Sequence, residues 1–272
     1  MLGLALGDAL GAPYEGGFFE RAVWKVIARG KLRYTDDTEM AIVLAESLLA
    51  HGCVDQDALA AAWGERCRWS RGYGPGARRL LKLVRSGVDW REANRRIFHD
   101  GSFGNGAAMR IAPVALFFAG RGGLDAAVVA ASEITHAHPL AIEGARLVAA
   151  AIARALDDEP PLDVTSRLPE YAQRIERARA GGALRDLGNS VRAHESVVTA
   201  ICLAQRSASF DELITAAVQL GGDTDTIAAM AGSIWGARHG AEALPDLPVE
   251  ARALVERLGR DLYRVSRSGR SA

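Results

Sequence analysis

With 272 residues, 49% of them apolar and 24% charged, the chain is long enough to bury a sizeable core as one large domain or two small ones. Its 33 basic residues equal its 33 acidic ones, so no net field recruits nucleic acid or an anionic membrane. Cys53, Cys67 and Cys202 form an odd set without a Cys-x-x-Cys pair, which argues against a disulfide framework or a zinc knuckle; buried free thiols in a reducing cytoplasm are expected. Met1 to Leu10 is apolar but has no basic lead, and no later stretch approaches the ~20 apolar residues of a membrane span, so neither export signal nor anchor is expected.

Apolar residues recur at helical spacing along most of the chain, among strong helix formers such as Ala, Leu and Arg. The spacing predicts helices over roughly 2–10, 38–51, 55–70, 75–86, 89–98, 106–119, 123–136, 140–157, 167–180, 191–206, 210–220, 224–239 and 249–266. Breaks fall at glycine- and proline-rich points such as Gly72-Tyr73-Gly74-Pro75-Gly76 and Pro245-Asp246-Leu247-Pro248. Strand signals are scarce, so the expected fold is all-α. Alanine-rich stretches such as 145–155 and 228–237 suit close helix packing. No repeat or long linker divides the chain; residues 1–266 are expected to form one domain and 267–272 a disordered, basic tail.

Two acidic phrases stand out: Tyr34-Thr35-Asp36-Asp37-Thr38 and Gly221-Gly222-Asp223-Thr224-Asp225-Thr226, each at the start of a predicted helix. Either alone reads as a cap, because one side-chain oxygen satisfies free backbone amides and acids favour the positive helix end. Together they hold more oxygen than capping requires. If the two helix starts face each other, Thr35, Asp36, Asp37, Asp223, Asp225 and Thr226 supply enough ligands for two octahedral ions completed by water. With no Cys or His in either phrase, Mg2+ or Mn2+ is favoured over zinc. Two unit charges ~4 Å apart interact by about 4 kcal/mol at an effective dielectric of 20, so converging carboxylates need cations or raised pKa values.

Four further places could carry chemistry. Glu15 lies in a glycine-flanked loop and reads as a solvated residue or a gating acid; Asp8 reads as structural, at the end of the first helix. The segment Asp100-Gly101-Ser102-Phe103-Gly104-Asn105-Gly106 opens onto a predicted helix, where backbone amides suit a phosphate and Phe103 offers a ring to a sugar or base. A tight turn before a packing helix is the alternative. Arg110 could instead form an interior salt bridge. His136 closes a predicted helix as a cap or packed residue, and His138 reads as a turn residue before Pro139.

Taken together, Gly-Asp-x-x-Gly-x-x-x-Glu at 7–15, Thr-Asp-Asp-Thr at 35–38, Gly-Asn-Gly-x-x-Met-Arg at 104–110, Thr-His at 135–136 and Gly-Asp-Thr-Asp-Thr at 222–226 resemble the ADP-ribosylglycohydrolase family, in order and over nearly the whole chain. The resemblance implies a compact all-helical fold with a dinuclear Mg2+ or Mn2+ centre that removes ADP-ribose from modified side chains. It makes Thr35, Asp36, Asp37, Asp223, Asp225 and Thr226 the metal shell and Glu15 the mobile loop acid beside it. Gly101, Ser102, Phe103, Gly104 and Asn105 become the diphosphate and ribose loop, and His136 a wall of the ligand cleft. Hydrolysis at the anomeric carbon of the distal ribose is implied, with a metal-associated water as nucleophile, and catalysis is expected to turn on Glu15, Asp36 and Asp225.

The resemblance also implies an ADP-ribosylated protein substrate, arginine- or serine-linked; a cytoplasmic monomer is expected. No membrane partner is expected, and no nucleic acid except as a modified substrate. Arginine-specific members add an acid from a middle loop, for which Asp89 and Asp100 are candidates. The chain starts inside the helix of the first motif, later than relatives usually do, so a clipped or later start is expected. A catalytically inactive ADP-ribose binder or crystallin-like member is the alternative. An isoprenoid synthase would want Asp-Asp-x-x-Asp, but Asp36-Asp37-Thr38-Glu39 is followed by Met40.

Overall fold

Alanine- and leucine-rich segments become helices almost everywhere the periodicity predicts. The structure, a computed structural model, describes residues 1–16 and 32–268. In chain order its α-helices are α1 (Leu2–Gly11), α2 (Asp36–His51), α3 (Gln56–Arg66), α4 (Pro75–Arg85), α5 (Trp90–Ile97), α6 (Ala112–Phe118) and α7 (Leu124–Glu133). They continue with α8 (Pro139–Leu156), α9 (Pro169–Arg179), α10 (Ala193–Arg206), α11 (Phe210–Leu220), α12 (Thr224–His239) and α13 (Arg252–Ser268). Among the described residues, strand pairing is limited to isolated bridges at Leu32–Val249 and Gly104–Arg192.

Helix starts follow local chemistry. Asp55 accepts from the Ala58 amide, Asp89 from those of Arg91 and Glu92, and Ser209 from that of Glu212. Proline opens α4, α8 and α9, where its missing N–H costs nothing.

Four boundaries differ from the periodicity. The segment expected as helix 106–119 starts with one 3-10 turn, Asn105–Ala107, and its α-helix begins only at Ala112, which puts Pro113 in the first turn. Helix 55–70 stops at Arg66; Cys67 is extended, and the Trp69–Arg71 turn ends at Gly72 with φ +94°. Helix 123–136 stops at Glu133, leaving Thr135 and His136 in the turn before α8. At the other end, α13 runs through Ser268, beyond the expected limit at 266, because Leu258 and Leu262 keep their apolar face buried and Ser266 Oγ donates to the Tyr263 carbonyl. The remaining tail, 269–272, lies outside the described residues. Cys67 and Cys202 are buried, but Cys53 is exposed because it follows Gly52, whose left-handed conformation ends α2 at the surface. No helix among the described residues is long and apolar enough to cross a membrane.

At the centre of the core, α12 packs on α1, α8, α10 and α11. Its crossing with α1 is set by glycines spaced four apart, which lie on one helix face. A Cβ on Gly3 would come 2.1 Å from the Gly232 carbonyl oxygen, one on Gly7 2.1 Å from that of Ala228, and one on Gly11 2.7 Å from the Asp225 Cα. The two backbones touch, in antiparallel sense. The C-terminal end of α1 therefore meets the N-terminal end of α12, and residues from the two ends of the sequence share one place. Asp8 then draws in α2. Buried near the end of α1, its carboxylate accepts from the amides of Thr35 (2.9 Å) and Thr38 (3.0 Å) and from the Thr38 hydroxyl (2.5 Å).

Candidate active site

Three helix ends thus converge, and each brings carboxylates. Thr35 is the N-cap of α2; its Oγ1 accepts from the Asp37 amide at 3.3 Å and lies equally far from Asp37 Oδ1, to which it can donate. Asp223 is the N-cap residue of α12 but makes no capping bond with its side chain, and Asp225 Oδ1 accepts from the Thr226 amide at 2.8 Å. Carboxylate oxygens of Glu15, Asp223 and Asp225 all lie within 4.8 Å of one another. Thr35, Asp37, Asp223, Asp225 and Thr226 are buried, while Asp36 and Glu15 are half-buried.

The two acidic phrases feel each other's charge. Asp37 and Asp225 are both held well above the ordinary carboxylate range, by burial first. For Asp37 the carboxylates of Asp8, Asp36, Asp223 and Glu15 add to this; for Asp225 those of Glu15, Asp37, Asp223 and Asp8 do. Asp36 is likewise raised well above its usual value, by burial and then by Asp8, Glu15 and Asp223. Burial also raises Asp223, and pushes Asp8 up to about 6 against the hydrogen bonds from Thr38 and Thr35 that favour its charged form.

The donor set fits a hard divalent cation. Asp37 Oδ2 is buried without a hydrogen-bond partner, an expensive position for a carboxylate oxygen. Among the described residues, no ion pair joins a basic side chain to Asp36, Asp37, Asp223 or Asp225. All the donors here are oxygen, the ligand type of Mg2+, Mn2+ and Ca2+.

The glycine-rich segment is tied to this cluster through Asn105. Its buried amide nitrogen donates to Asp223 Oδ2 at 2.5 Å and to Ser196 Oγ at 3.0 Å. Asn105 thus faces inward and orients an acid, whereas the expectation placed it on the ligand. The open phosphate cradle expected of the loop is also modified. The Gly104 amide donates to Ser102 Oγ (3.3 Å) and that of Asn105 to the Val191 carbonyl (2.9 Å), and the Ala193 amide donates to the Phe103 carbonyl (3.1 Å). The loop is zipped to the start of α10. Gly101, with φ +80°, lies so close to the His138 backbone that a Cβ would fall 2.4 Å from its amide nitrogen, a packing reason for glycine there. Phe103 is 44% exposed, edge-on to the His138 ring and beneath the Arg192 guanidinium. His138 caps α8 by accepting from the Leu140 amide at 3.1 Å.

His136 lies 8% exposed behind this loop, its Nδ1 2.8 Å from Thr135 Oγ1. Burial, then the nearby Arg110, push its pKa down to about 3, so the ring is neutral at physiological pH. A cavity of about 1300 Å³ between α7, α8 and residues 163–168 is lined by none of these residues.

A model of one protein family, ADP-ribosylglycohydrolase, matches residues 1–271. The chain belongs to the ADP-ribosylglycohydrolase family. It is, by that membership, an ADP-ribosylhydrolase, an enzyme that hydrolyses a glycosidic bond. The chain is 32% identical to the ADP-ribosylhydrolase ARH3 of Homo sapiens, over 79% of this chain and 73% of that one. It is 30% identical to the ARH3 of Danio rerio over 90% and 83%, and 35% identical to an uncharacterized protein of Archaeoglobus fulgidus over 97% and 94%. A solved structure described as an ADP-ribosylglycohydrolase-related protein complex superimposes with a TM-score of 0.73 at 29% identity, covering 97% of this chain and 95% of that one.

Beside the acids this glycohydrolase carries a second polar cluster that its sequence did not announce. Buried Arg71 donates to the Tyr34 carbonyl (2.7 Å) and to Glu250 (2.6 Å), and stacks over the Tyr34 ring at 4.6 Å. Glu39, in the first turn of α2, accepts from the Arg68 amide (2.8 Å), the Arg68 guanidinium and the Tyr73 hydroxyl (2.9 Å). The cluster clamps the backbone that leads into Thr35 and Asp36. Arg68, Arg71 and Tyr73 sit in a stretch that reads as punctuation before Pro75, and Glu250 comes 179 residues after Arg71, so local pattern gave no sign of it. Asp89 and Asp100, considered as extra site acids, serve elsewhere: Asp89 caps α5 and Asp100 contacts His99 on the surface.

Proposed function

We propose that the protein hydrolyses the bond between the anomeric carbon of the distal ribose of ADP-ribose and an acceptor side chain, arginine or serine, and that it does so with two divalent cations, Mg2+ or Mn2+. The observation that carries this reading is that acids from the two ends of the chain feel one another's charge, with Glu15, Asp223 and Asp225 within 4.8 Å of one another and a buried oxygen of Asp37 without a protein partner.

Thr35, Asp36, Asp37, Asp223, Asp225 and Thr226 would hold the cations. Bound there, divalent cations would offset the carboxylate charge, hold ribose hydroxyls in place and make a bound water more acidic. Asp8 keeps the first turn of α2 in place by holding the Thr35 and Thr38 amides, and Asn105 orients Asp223. Glu15, half-buried like Asp36 and with a carboxylate oxygen within 4.8 Å of those of Asp223 and Asp225, would orient a water or carry a proton at a carboxylate oxygen. The exposed ring of Phe103 offers a stacking face to the adenine or ribose, while Ser102, Gly104 and His136 supply polar contacts to the diphosphate and ribose. The ADP-ribosylated protein would be met in the cytoplasm by a monomer of this chain.

A panel of arginine-, serine- and nucleic-acid-linked ADP-ribose, incubated with and without chelator, tests the reading. Release of ADP-ribose from a protein-linked substrate, lost with chelator and restored by Mg2+ or Mn2+, is expected. Release unaffected by chelator, or tight binding of ADP-ribose without any release, would overturn it.

A further inference from the structure

Arg110 is the largest buried charge that the proposed chemistry leaves without a task. It is 1% exposed and, among the described residues, touches no carboxylate. Its guanidinium stacks on the Trp63 ring at 4.2 Å, and one nitrogen, Nη2, donates to Thr135 Oγ1 at 2.6 Å and to the Ala131 carbonyl at 3.4 Å. Thr135 Oγ1 in turn lies 2.8 Å from His136 Nδ1.

The direction of these bonds follows from which groups own protons. A guanidinium only donates, so Thr135 Oγ1 accepts from Arg110 and its own proton must go elsewhere. Among the described residues the acceptor within reach of that buried hydroxyl is His136 Nδ1. A proton on Nδ1 would leave the hydroxyl proton without an acceptor in a buried place, which folded proteins avoid. The ring is neutral, as the combined push of burial and Arg110 requires. Its one proton therefore sits on Nε2.

That nitrogen faces the glycine-rich loop. A Cβ built on Gly104 would lie 3.4 Å from His136 Nε2, and one on Gly106 only 2.8 Å from it, so glycine at 106 is what lets the loop close over the edge of the ring. We infer that Arg110 and Thr135 form a donor relay that fixes His136 in the tautomer with its proton on Nε2, making it a standing hydrogen-bond donor to an acceptor oxygen of the bound ADP-ribose. Arg110 and Thr135 are positioning residues that act through the imidazole. The buried charge at the head of the relay polarises the chain of bonds and strengthens the terminal N–H as a donor. The inference rests on reading His136 as a wall of the ligand cleft.

The experiment is long-range proton–nitrogen correlation NMR on the full-length, metal-free protein labelled with nitrogen-15 at histidine, with His136→Gln used to assign the ring. In the parent protein His136 should show a proton-bearing Nε2 and a bare Nδ1. Thr135→Ser should keep that pattern, and Thr135→Val should lose it. Calorimetric titration with ADP-ribose in the presence of Mg2+ should then show about a tenfold loss of affinity for Thr135→Val and near-parent affinity for Thr135→Ser, the difference one hydrogen bond makes. A proton on Nδ1 in the parent, or an unchanged tautomer in Thr135→Val, would overturn the relay. The reading of the cleft fails separately: the tautomer would behave as described while no variant, nor the parent, bound ADP-ribose.

Discussion

The two buried polar clusters beside the first turn of α2 are built in opposite ways. Around Glu39 every acid has a basic or hydroxyl partner: Glu39 takes Arg68 and Tyr73, and Glu250 takes Arg71. Burial raises Glu250, but the Arg71 hydrogen bond and the charges of Arg71 and Arg68 outweigh it and leave its pKa lowered. On the other side, Asp36, Asp37 and Asp225 are raised well above the ordinary range by burial and by one another. In the first cluster each acid is neutralised by an arginine, although Glu250 Oε2 and Arg71 Nε make no hydrogen bond of their own, and the cluster serves the fold. The second gathers acids with no basic partner among the described residues, which is what the proposed cation site rests on.

Substitutions in the two clusters should separate along that line. The largest effect is expected from Asp225→Ala, which removes a carboxylate from the acidic cluster: turnover should fall by more than about 100-fold, beyond the 10- to 100-fold typical of residues that merely support a metal ligand, while the helical circular dichroism persists. Retained turnover would break the comparison. Next is Arg71→Met, which removes the donor to the Tyr34 carbonyl and leaves the part-exposed Glu250 with Arg68 at 3.4 Å and Arg33 at 3.8 Å. Losing these hydrogen bonds should lower unfolding free energy by about 1–3 kcal/mol in urea titrations, whether or not Mg2+ is present.

Asp37→Asn should act in the opposite sense. Replacing a carboxylate held above its usual pKa by a neutral amide should stabilise the metal-free protein by about 0.5–2 kcal/mol, while abolishing the thermal stabilisation that Mn2+ gives the parent. A loss of stability in the metal-free state would mean that the acid already serves the fold.

How the sequence yielded one cluster and hid the other is instructive. The acidic phrases announce themselves because Asp36-Asp37 and Asp223-Thr224-Asp225 each exceed the needs of a cap at a helix start, a local excess that can be counted. Their convergence was not local. It depends on Gly3, Gly7 and Gly11 meeting Gly232, Ala228 and Asp225 across the α1–α12 contact, and the four-residue glycine spacing has meaning only once its partner helix is known. The bond from Asn105 to Asp223 spans 118 residues and that from Arg71 to Glu250 spans 179, separations that no helical period encodes. The periodicity also ran the helix back to residue 106, because the apolar Ala107, Ala108, Met109 and Ile111 look alike in a helix and in the 3-10 and turn segment that precedes Pro113.

The smallest expected effect is the one of pH. In the metal-free protein the carboxyls of the acidic cluster hold their protons above the ordinary value, Asp8 up to about 6 and Asp36, Asp37 and Asp225 well above their usual range, through burial and one another's charge. Raised groups stabilise the fold below their unfolded pKa, and that contribution is lost as pH rises through the folded one. The gap in melting temperature between Mn2+-loaded and metal-free protein should therefore widen from about pH 5 to about pH 8, and cation binding should release protons, read as a buffer-dependent heat in calorimetry. A gap that narrows with rising pH would show that the acids are already ionised and paired.

Crystals grown with Mn2+ and measured for anomalous scattering give the most direct test. Two strong peaks should lie among the side-chain oxygens of Thr35, Asp36, Asp37, Asp223, Asp225 and Thr226. An acidic cluster without a peak, under conditions in which the same protein releases ADP-ribose, would contradict the assignment of those residues.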